Sequence, residues 1–326
     1  MRVADEHGGW QRREAPLFDL GTIPAGNLFS TIDDIARFAS ALLANDGKLV
    51  KPETLAEMWR PQLTKDATGF GLGFLVGKYR EHRTVSHSGA IYGHSTSLVV
   101  LPDEKIAVIV FANEDIVNGR VHRISNAALS LMLEAKLGEK PPEPPPINRP
   151  AEDLNQFKGA YESQSYWAKL EVRDDGQLVG NVSGQLTRFT AIAGLKFSAD
   201  SRIADAVPVT FERDAAGNIV GFTMEMQKYT RVPANAAALP AEWRAFLGSY
   251  GPDFIPLIVT ERHGHLYAMT ENMVDYRMTP VNRRVCALPP GMYVNENAVF
   301  LTDSPGKPHA IDFANMILPR IIEKGR

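Results

Sequence analysis

Apolar positions in the first 140 residues follow two different rhythms. Ile32, Ile35, Phe38, Ala39, Leu42 and Leu43 recur at helical spacing, with Thr31 and Asp34 placed to cap the start and Asn45-Asp46-Gly47 to stop the run. A short helix from Pro52 to Trp59 is expected next. Residues 69–76, 84–88, 95–101 and 105–113 then form apolar runs rich in β-branched side chains, separated by turn signals, which predicts strands. Pro102-Asp103-Glu104 reads as a hairpin turn, making the last two strands antiparallel neighbours. Helical spacing returns over residues 118–137, where Val121, Ile124, Ala128, Leu131, Met132 and Ala135 define the expected buried face.

The rhythm breaks at Glu139–Pro150, EKPPEPPPINRP, whose six prolines favour extended backbone over helix or sheet. This segment is expected to link residues 1–138 to the C-terminal half of the chain. Beyond it the chain repeats itself. Phe157-Lys158-Gly159-Ala160-Tyr161 returns as Phe246-Leu247-Gly248-Ser249-Tyr250, and Gly176, Leu178, Phe211, Gly217 and Arg231 have counterparts in Gly264, Leu266, Phe300, Gly306 and Arg320. Short strands and hairpin turns such as Arg173-Asp174-Asp175-Gly176 suit small antiparallel β-barrels. Their expected bounds are 151–232 and 240–322, joined by residues 233–240.

Composition narrows the partners. Thirty-five basic against 38 acidic residues give a net charge of −3, so no global field favours nucleic acid or an anionic membrane. No apolar run approaches the roughly 20 residues of a membrane-spanning helix. The polar stretch Met1 to Pro16 lacks the apolar core of a secretory signal, and localisation stays open. Cys286 is the only cysteine, which excludes an internal disulfide and reads as a buried thiol.

Candidate chemistry concentrates between residues 24 and 113. Pro24-Ala25-Gly26-Asn27-Leu28-Phe29-Ser30-Thr31 precedes Asp33-Asp34-Ile35-Ala36-Arg37-Phe38; Gly69-Phe70-Gly71-Leu72-Gly73-Phe74 is a glycine-spaced strand; His87-Ser88-Gly89 precedes a hairpin that ends in Ala112-Asn113. In this order the segments resemble the C-terminal part of the catalytic domain of serine β-lactamases and penicillin-binding proteins, over residues 19–137. Class C β-lactamases, D-aminopeptidases and esterases of this superfamily are the nearest types. The resemblance implies an α+β fold, in which a partial β-lactamase/transpeptidase-like domain, an antiparallel sheet with flanking helices, is followed by two small antiparallel β-barrels.

The same resemblance implies an activity. A serine attacks the carbonyl of an amide or ester, an acyl-enzyme forms, and water releases it, which requires an activated nucleophile and an oxyanion hole. His87-Ser88-Gly89 corresponds to the third motif of the family. His87 would hold a substrate carboxylate or relay protons, Ser88 would offer a hydroxyl, Gly89 would let the substrate backbone approach, and the Ala90 N–H would be one oxyanion donor. A D-amino-acid peptide, a β-lactam or a simple ester would be the substrate. No cofactor and no metal is implied.

The family's Ser-x-x-Lys and Tyr-x-Asn motifs do not occur ahead of His87. Ser304-Pro305-Gly306-Lys307 and Tyr293-Val294-Asn295 match them in spelling only, because Pro-Gly suits a turn and both lie in the second repeat. The preferred expectation is therefore part of a serine hydrolase whose nucleophile segment is missing from this chain, inactive alone. Two alternatives stand beside it: a non-catalytic binding or regulatory protein derived from the fold, and one chain of a two-chain enzyme completed by a companion. His263-Gly264-His265 is expected to be a solvated turn, and the sequence assigns no partner to His82, His94 or His122.

Overall fold

The computed structural model describes residues 1–4, 10–17, 23–143, 153–270, 273–290, 295–303 and 306–321. The proline-rich stretch from 144 on, Tyr293-Val294 and Ser304-Pro305 lie outside these. The chain divides into two compact units: Met1, 14–144 and 202–205 form the first, and 2–13, 145–201 and 206–326 the second. The hairpin of β1 (Arg2–Ala4) and β2 (Trp10–Arg12) thus groups with the second unit, and a four-residue segment far downstream groups with the first.

The first unit contains α1 (Ile23–Gly26), α2 (Ile32–Ala44) and α3 (Pro52–Met58). Thr31 caps α2 by accepting from the Asp34 N–H at 3.2 Å. Asn45 ends the helix in the left-handed region, with its N–H on the Ala41 carbonyl. An antiparallel sheet comes next in the order β3 (Gly69–Phe70), β4 (Leu75–Tyr79), β5 (His82–Ile91), β6 (His94–Leu101) and β7 (Ile106–Ala112), and α4 (Asn118–Leu137) closes the unit. Leu42, Leu55, Trp59, Phe74, Val85 and Val100 pack on one side of the sheet; Leu101, Ile106, Val108, Leu129 and Leu133 pack on the other, under α4.

Two details depart from the sequence pattern. The run 69–76, read as one strand, is a tight hairpin in which Phe70 pairs with Leu75. Gly71 and Gly73 make it possible: a Cβ on Gly71 would sit 2.2 Å from the Met58 carbonyl oxygen, and Gly73 has φ +75°. Helix α4 is also rotated from its apolar face. Its buried side is Gly119, Val121, Ser125, Leu129, Ser130 and Leu133, whereas Ile124, Leu131 and Met132 are exposed. Small polar residues win the inner position because the sheet offers them partners, as where Ser125 Oγ meets Ser97 Oγ at 3.3 Å.

In the second unit β8 (Gly159–Glu162), β9 (Trp167–Val172), β10 (Leu178–Val182), β11 (Gln185–Ala193), β12 (Lys196–Asp200), β13 (Val207–Arg213), β14 (Ile219–Met224) and β15 (Gln227–Arg231) close into an up-and-down barrel. A second eight-stranded sheet runs in sequence order: β16 (Gly248–Tyr250), β17 (Leu257–Arg262), β18 (His265–Met269), β19 (Asp275–Pro280), β20 (Val285–Ala287), β21 (Asn297–Leu301), β22 (Ala310–Phe313) and β23 (Met316–Pro319). A bridge between Tyr250 and Arg320 joins its two ends. With 23 strands against four α-helices among the described residues, the chain is dominated by sheet, and the α+β description fits it only roughly.

Both barrels are filled by aromatic rings in repeated positions: Phe157, Phe211 and Tyr161 in the first, Phe246, Phe300 and Tyr250 in the second. The barrels also share buried polar contacts. Trp167 Nε1 donates to Asp275 Oδ2 at 2.8 Å, the Asp275 N–H donates to the Ser183 carbonyl, and the Arg277 N–H donates to the Ser165 carbonyl. They are a joined pair.

Candidate functional site

Strand β5 carries all four candidate residues, and hairpin geometry decides which way each faces. The two-residue turn between Tyr79 and His82 makes that flanking pair a hydrogen-bonded one, so even-numbered residues of β5 turn their N–H and C=O toward β4. The turn between Ile91 and His94 likewise points the odd-numbered ones at β6. Pairing with β4 ends at Leu75 and Ser86, whereas pairing with β6 continues to Ile91. Ser88 and Ala90 therefore present backbone N–H and C=O along an edge with no strand partner among the described residues.

Side chains alternate the other way. His87 lies on the face of Val85 and Leu98, which α2 and α3 cover, and is itself exposed. Ser88 lies on the α4 face, where it lines a cavity of about 190 Å³ with Thr96, Ser97, Asn118, His122 and Asp205. The His87 and Ser88 side chains thus lie on opposite faces of the sheet. Gly89 has a local reason for its identity, since a Cβ there would lie 2.8 Å from Thr96 Oγ1.

Support for this edge comes from a residue the sequence pattern did not single out. Asn118 Nδ2 donates at 3.1 Å to the Gly89 carbonyl, fixing the strand between Ser88 and Ala90 to the first residue of α4. The start of α4 is held in turn by residues 202–205. The Gly119 N–H donates to the Arg202 carbonyl at 2.9 Å, the Arg202 guanidinium donates to the Asp115 carbonyl at 2.6 Å, and Arg123 pairs with Asp205 at 2.7 Å. Val117 offers the helix no side-chain cap, so a carbonyl from distant sequence satisfies the first turn. A sequence reading has no local signal for this.

Residues 1–131 match the protein family described as Beta-lactamase. This region is beta-lactamase-like. A human protein, putative beta-lactamase-like 1 of Homo sapiens, is 27% identical over 150 residues, covering 42% of this chain and 29% of that protein. Among solved structures, SurE with D-Leu is 20% identical with a TM-score of 0.32, covering 62% of this chain and 50% of its own. The octameric penicillin-binding protein homologue from Pyrococcus abyssi is 17% identical with a TM-score of 0.31, covering 62% and 47%. The chain thus spans under a third of the human relative and about half of either structure.

Other histidines fall into place away from the beta-lactamase-like edge. His82 has a carboxylate on each ring nitrogen: Glu104 Oε1 is 2.7 Å from Nδ1, and Glu139 Oε2 is 2.9 Å from Nε2. His263 and Gly264 form the expected turn, partly exposed, and His263 Nδ1 also contacts Glu162 Oε1 at 3.1 Å. His265 Nδ1 lies 3.2 Å from Oε2 of the same carboxylate, and Tyr267 donates to Oε1 at 3.0 Å. Burial and the Glu162 charge push the Tyr267 phenol far up. Cys286 is buried, with its thiol pushed up to about 12 by desolvation, as expected of an inert core residue. No group able to hold a metal occurs among the described residues.

Proposed function

We propose that the β5 edge is one wall of a serine-hydrolase site that acts on an amide or ester through an acyl-serine. The observation that carries this reading is the pairing of β5: the motif His87-Ser88-Gly89 sits where β4 has ended, leaving the Ser88 and Ala90 backbone outward. An outward N–H at Ala90 is the kind of fixed donor that an oxyanion requires, and it costs no reorganisation as charge develops. The adjoining outward carbonyls and amides suit an extended, amide-containing substrate laid along the edge. His87, exposed beside it, would bind a substrate carboxylate or relay the proton.

In this reading the serine, its lysine and the tyrosine come from residues outside this sequence or from a companion chain. Serine Oγ attacks the carbonyl, the amine or alcohol leaves with a proton, and water then cleaves the acyl-serine to free acid and serine. D-amino-acid peptides, β-lactams and simple esters are the substrate classes to screen.

Intact-mass measurement after incubation with a β-lactam and with an activated ester tests the proposal. The 326-residue chain is expected to stay unmodified, and a form supplied with an upstream Ser-x-x-Lys segment is expected to gain one acyl group on that serine. In the supplied form, His87→Ala should lower kcat/KM by something on the order of 10- to 1,000-fold. A stoichiometric adduct on a serine of this chain alone, or unchanged kinetics in His87→Ala, would sink it.

A further inference from the structure

The end of the sheet opposite Ala90 holds a second arrangement of titratable groups. His82 opens β5 and is nearly buried, its side chain 12% exposed. Glu104 reaches Nδ1 from the β6–β7 turn, and Glu139 reaches Nε2 from the first residues of the proline-rich segment. A neutral imidazole has one N–H and one lone pair, so it can donate to only one of two flanking carboxylates. The other would face it lone pair to lone pair. Both contacts are satisfied together only when the ring carries two protons and a positive charge.

We propose that protonated His82 is a latch that fixes the chain leaving α4, at Glu139 and Lys140, to the β4–β5 end of the sheet. Arg80 works beside it: its guanidinium donates to Ser130 Oγ on α4 and at 3.4 Å to the Lys140 carbonyl. The remaining charged neighbours are otherwise engaged. Arg83 pairs with Asp103 at 3.3 Å, and Lys105 donates to the Leu43 carbonyl. Glu81 has Lys78 at 4.0 Å. Glu104 and Glu139 are therefore the groups that act on the ring.

The direction of the pH response is set by the partners. Hydrogen bonds to Glu139 and then to Glu104 outweigh desolvation and raise His82 above its ordinary 6.5. A raised value means that the stabilisation is complete below 6.5 and is lost as pH rises through the value in the folded chain. The latch holds in acid and opens toward alkali. When it is open, Glu139 and Lys140 are released from the sheet; when closed, they are held to it.

Imidazole nitrogen NMR of the full chain labelled at histidine tests the ionisation, and amide hydrogen exchange at Glu139 and Lys140 tests the latch. His82 is expected to carry protons on both nitrogens at pH values above 6.5, where an ordinary imidazole has lost one. Protection at Glu139 and Lys140, corrected for intrinsic exchange, should fall by roughly two- to fivefold as His82 titrates, the range set by partly exposed ion pairs. Glu139→Gln, which leaves the sheet untouched, should remove that pH dependence; His82→Gln should match the open state. A neutral His82 at pH 6.5, or protection indifferent to its titration, would overturn the proposal.

Discussion

The guanidinium of Arg231 donates to the hydroxyl of Tyr161 at 2.8 Å, and that hydroxyl donates to the Phe157 carbonyl, also at 2.8 Å. Arg231 also lies over the Tyr161 ring, 5.1 Å from its centroid, and closes on Gly159, where a Cβ would meet Nη1 at 3.1 Å. Arg320, Tyr250, Phe246 and Gly248 repeat the lock in the second barrel, with the arginine 3.4 Å from the hydroxyl. Both locks tie the last strand of a barrel to its first. Removing either hydroxyl leaves a buried carbonyl without its donor, so Tyr161→Phe and Tyr250→Phe should each cost about 1–2 kcal/mol in chemical denaturation. Tyr161→Phe should cost more, because Arg231 loses a shorter bond. Negligible losses would show the locks to be ornamental, and equal ones would refute the ranking.

Gly119 offers a change whose sign is informative. Replacing a glycine inside a helix by alanine ordinarily stabilises by up to about 1 kcal/mol. Here the new Cβ would lie 2.6–2.7 Å from backbone atoms of Ala204, which cannot rotate away. Gly119→Ala should therefore destabilise by about 1–3 kcal/mol and increase hydrogen exchange at the start of α4. A more stable variant would mean that residues 202–205 do not seat on α4.

These two cases mark what the sequence could reveal. The spacing of Phe157, Gly159, Tyr161 and Arg231 and its return 89 positions later pointed to duplicated barrels before any contact was known. The capped helix at Thr31 and the strands around His87 were legible for the same reason, since caps and alternation are local. Three things were not. The glycines at 71 and 73 looked like strand punctuation but form a turn, because their role is set by the Met58 carbonyl. The inner face of α4 carries serines that hydropathy assigns outward. Asn118, His82 and Glu162 meet partners 22 to 105 residues away, and no short-range pattern encodes such distances.

Asp275 predicts a pH effect on the joined barrels. Its carboxylate is fully buried: Oδ2 is shared by Trp167 Nε1 and Arg262 Nε, while Oδ1 has no partner among the described residues. Desolvation dominates and raises it above 3.8, against the opposing pull of Arg262. A raised carboxyl contributes stability below its unfolded value, and that contribution is lost as pH rises through the folded value. Asp275→Asn keeps an acceptor for Trp167 and removes the titration. Urea midpoints of the natural chain should fall relative to the variant as pH rises from 3.8, then run parallel. A gap that widens toward acid would reverse the assignment.

The last prediction concerns β7. Its run Ile106-Ala107-Val108-Ile109-Val110-Phe111-Ala112 carries no charge and no proline, and it ends the sheet with no strand partner among the described residues. Such an edge offers a row of backbone donors and acceptors to any extended chain, with apolar side chains to bury beside them. Phe111 is 43% exposed, and Leu131 and Met132 on the outer side of α4 add further exposed apolar surface in the same unit. The chain alone should therefore self-associate through this unit as its concentration rises. A lysine at the exposed end of the strand blocks edge pairing by placing charge where a second strand would dock, and at Phe111 it removes no buried side chain. Phe111→Lys should keep the melting profile within about 1 kcal/mol of the natural chain while shifting association to higher concentration. Light scattering across a dilution series reads this directly. Association unchanged by Phe111→Lys would place the sticky surface elsewhere, and a natural chain that stays monomeric throughout would show that the β7 edge is already covered.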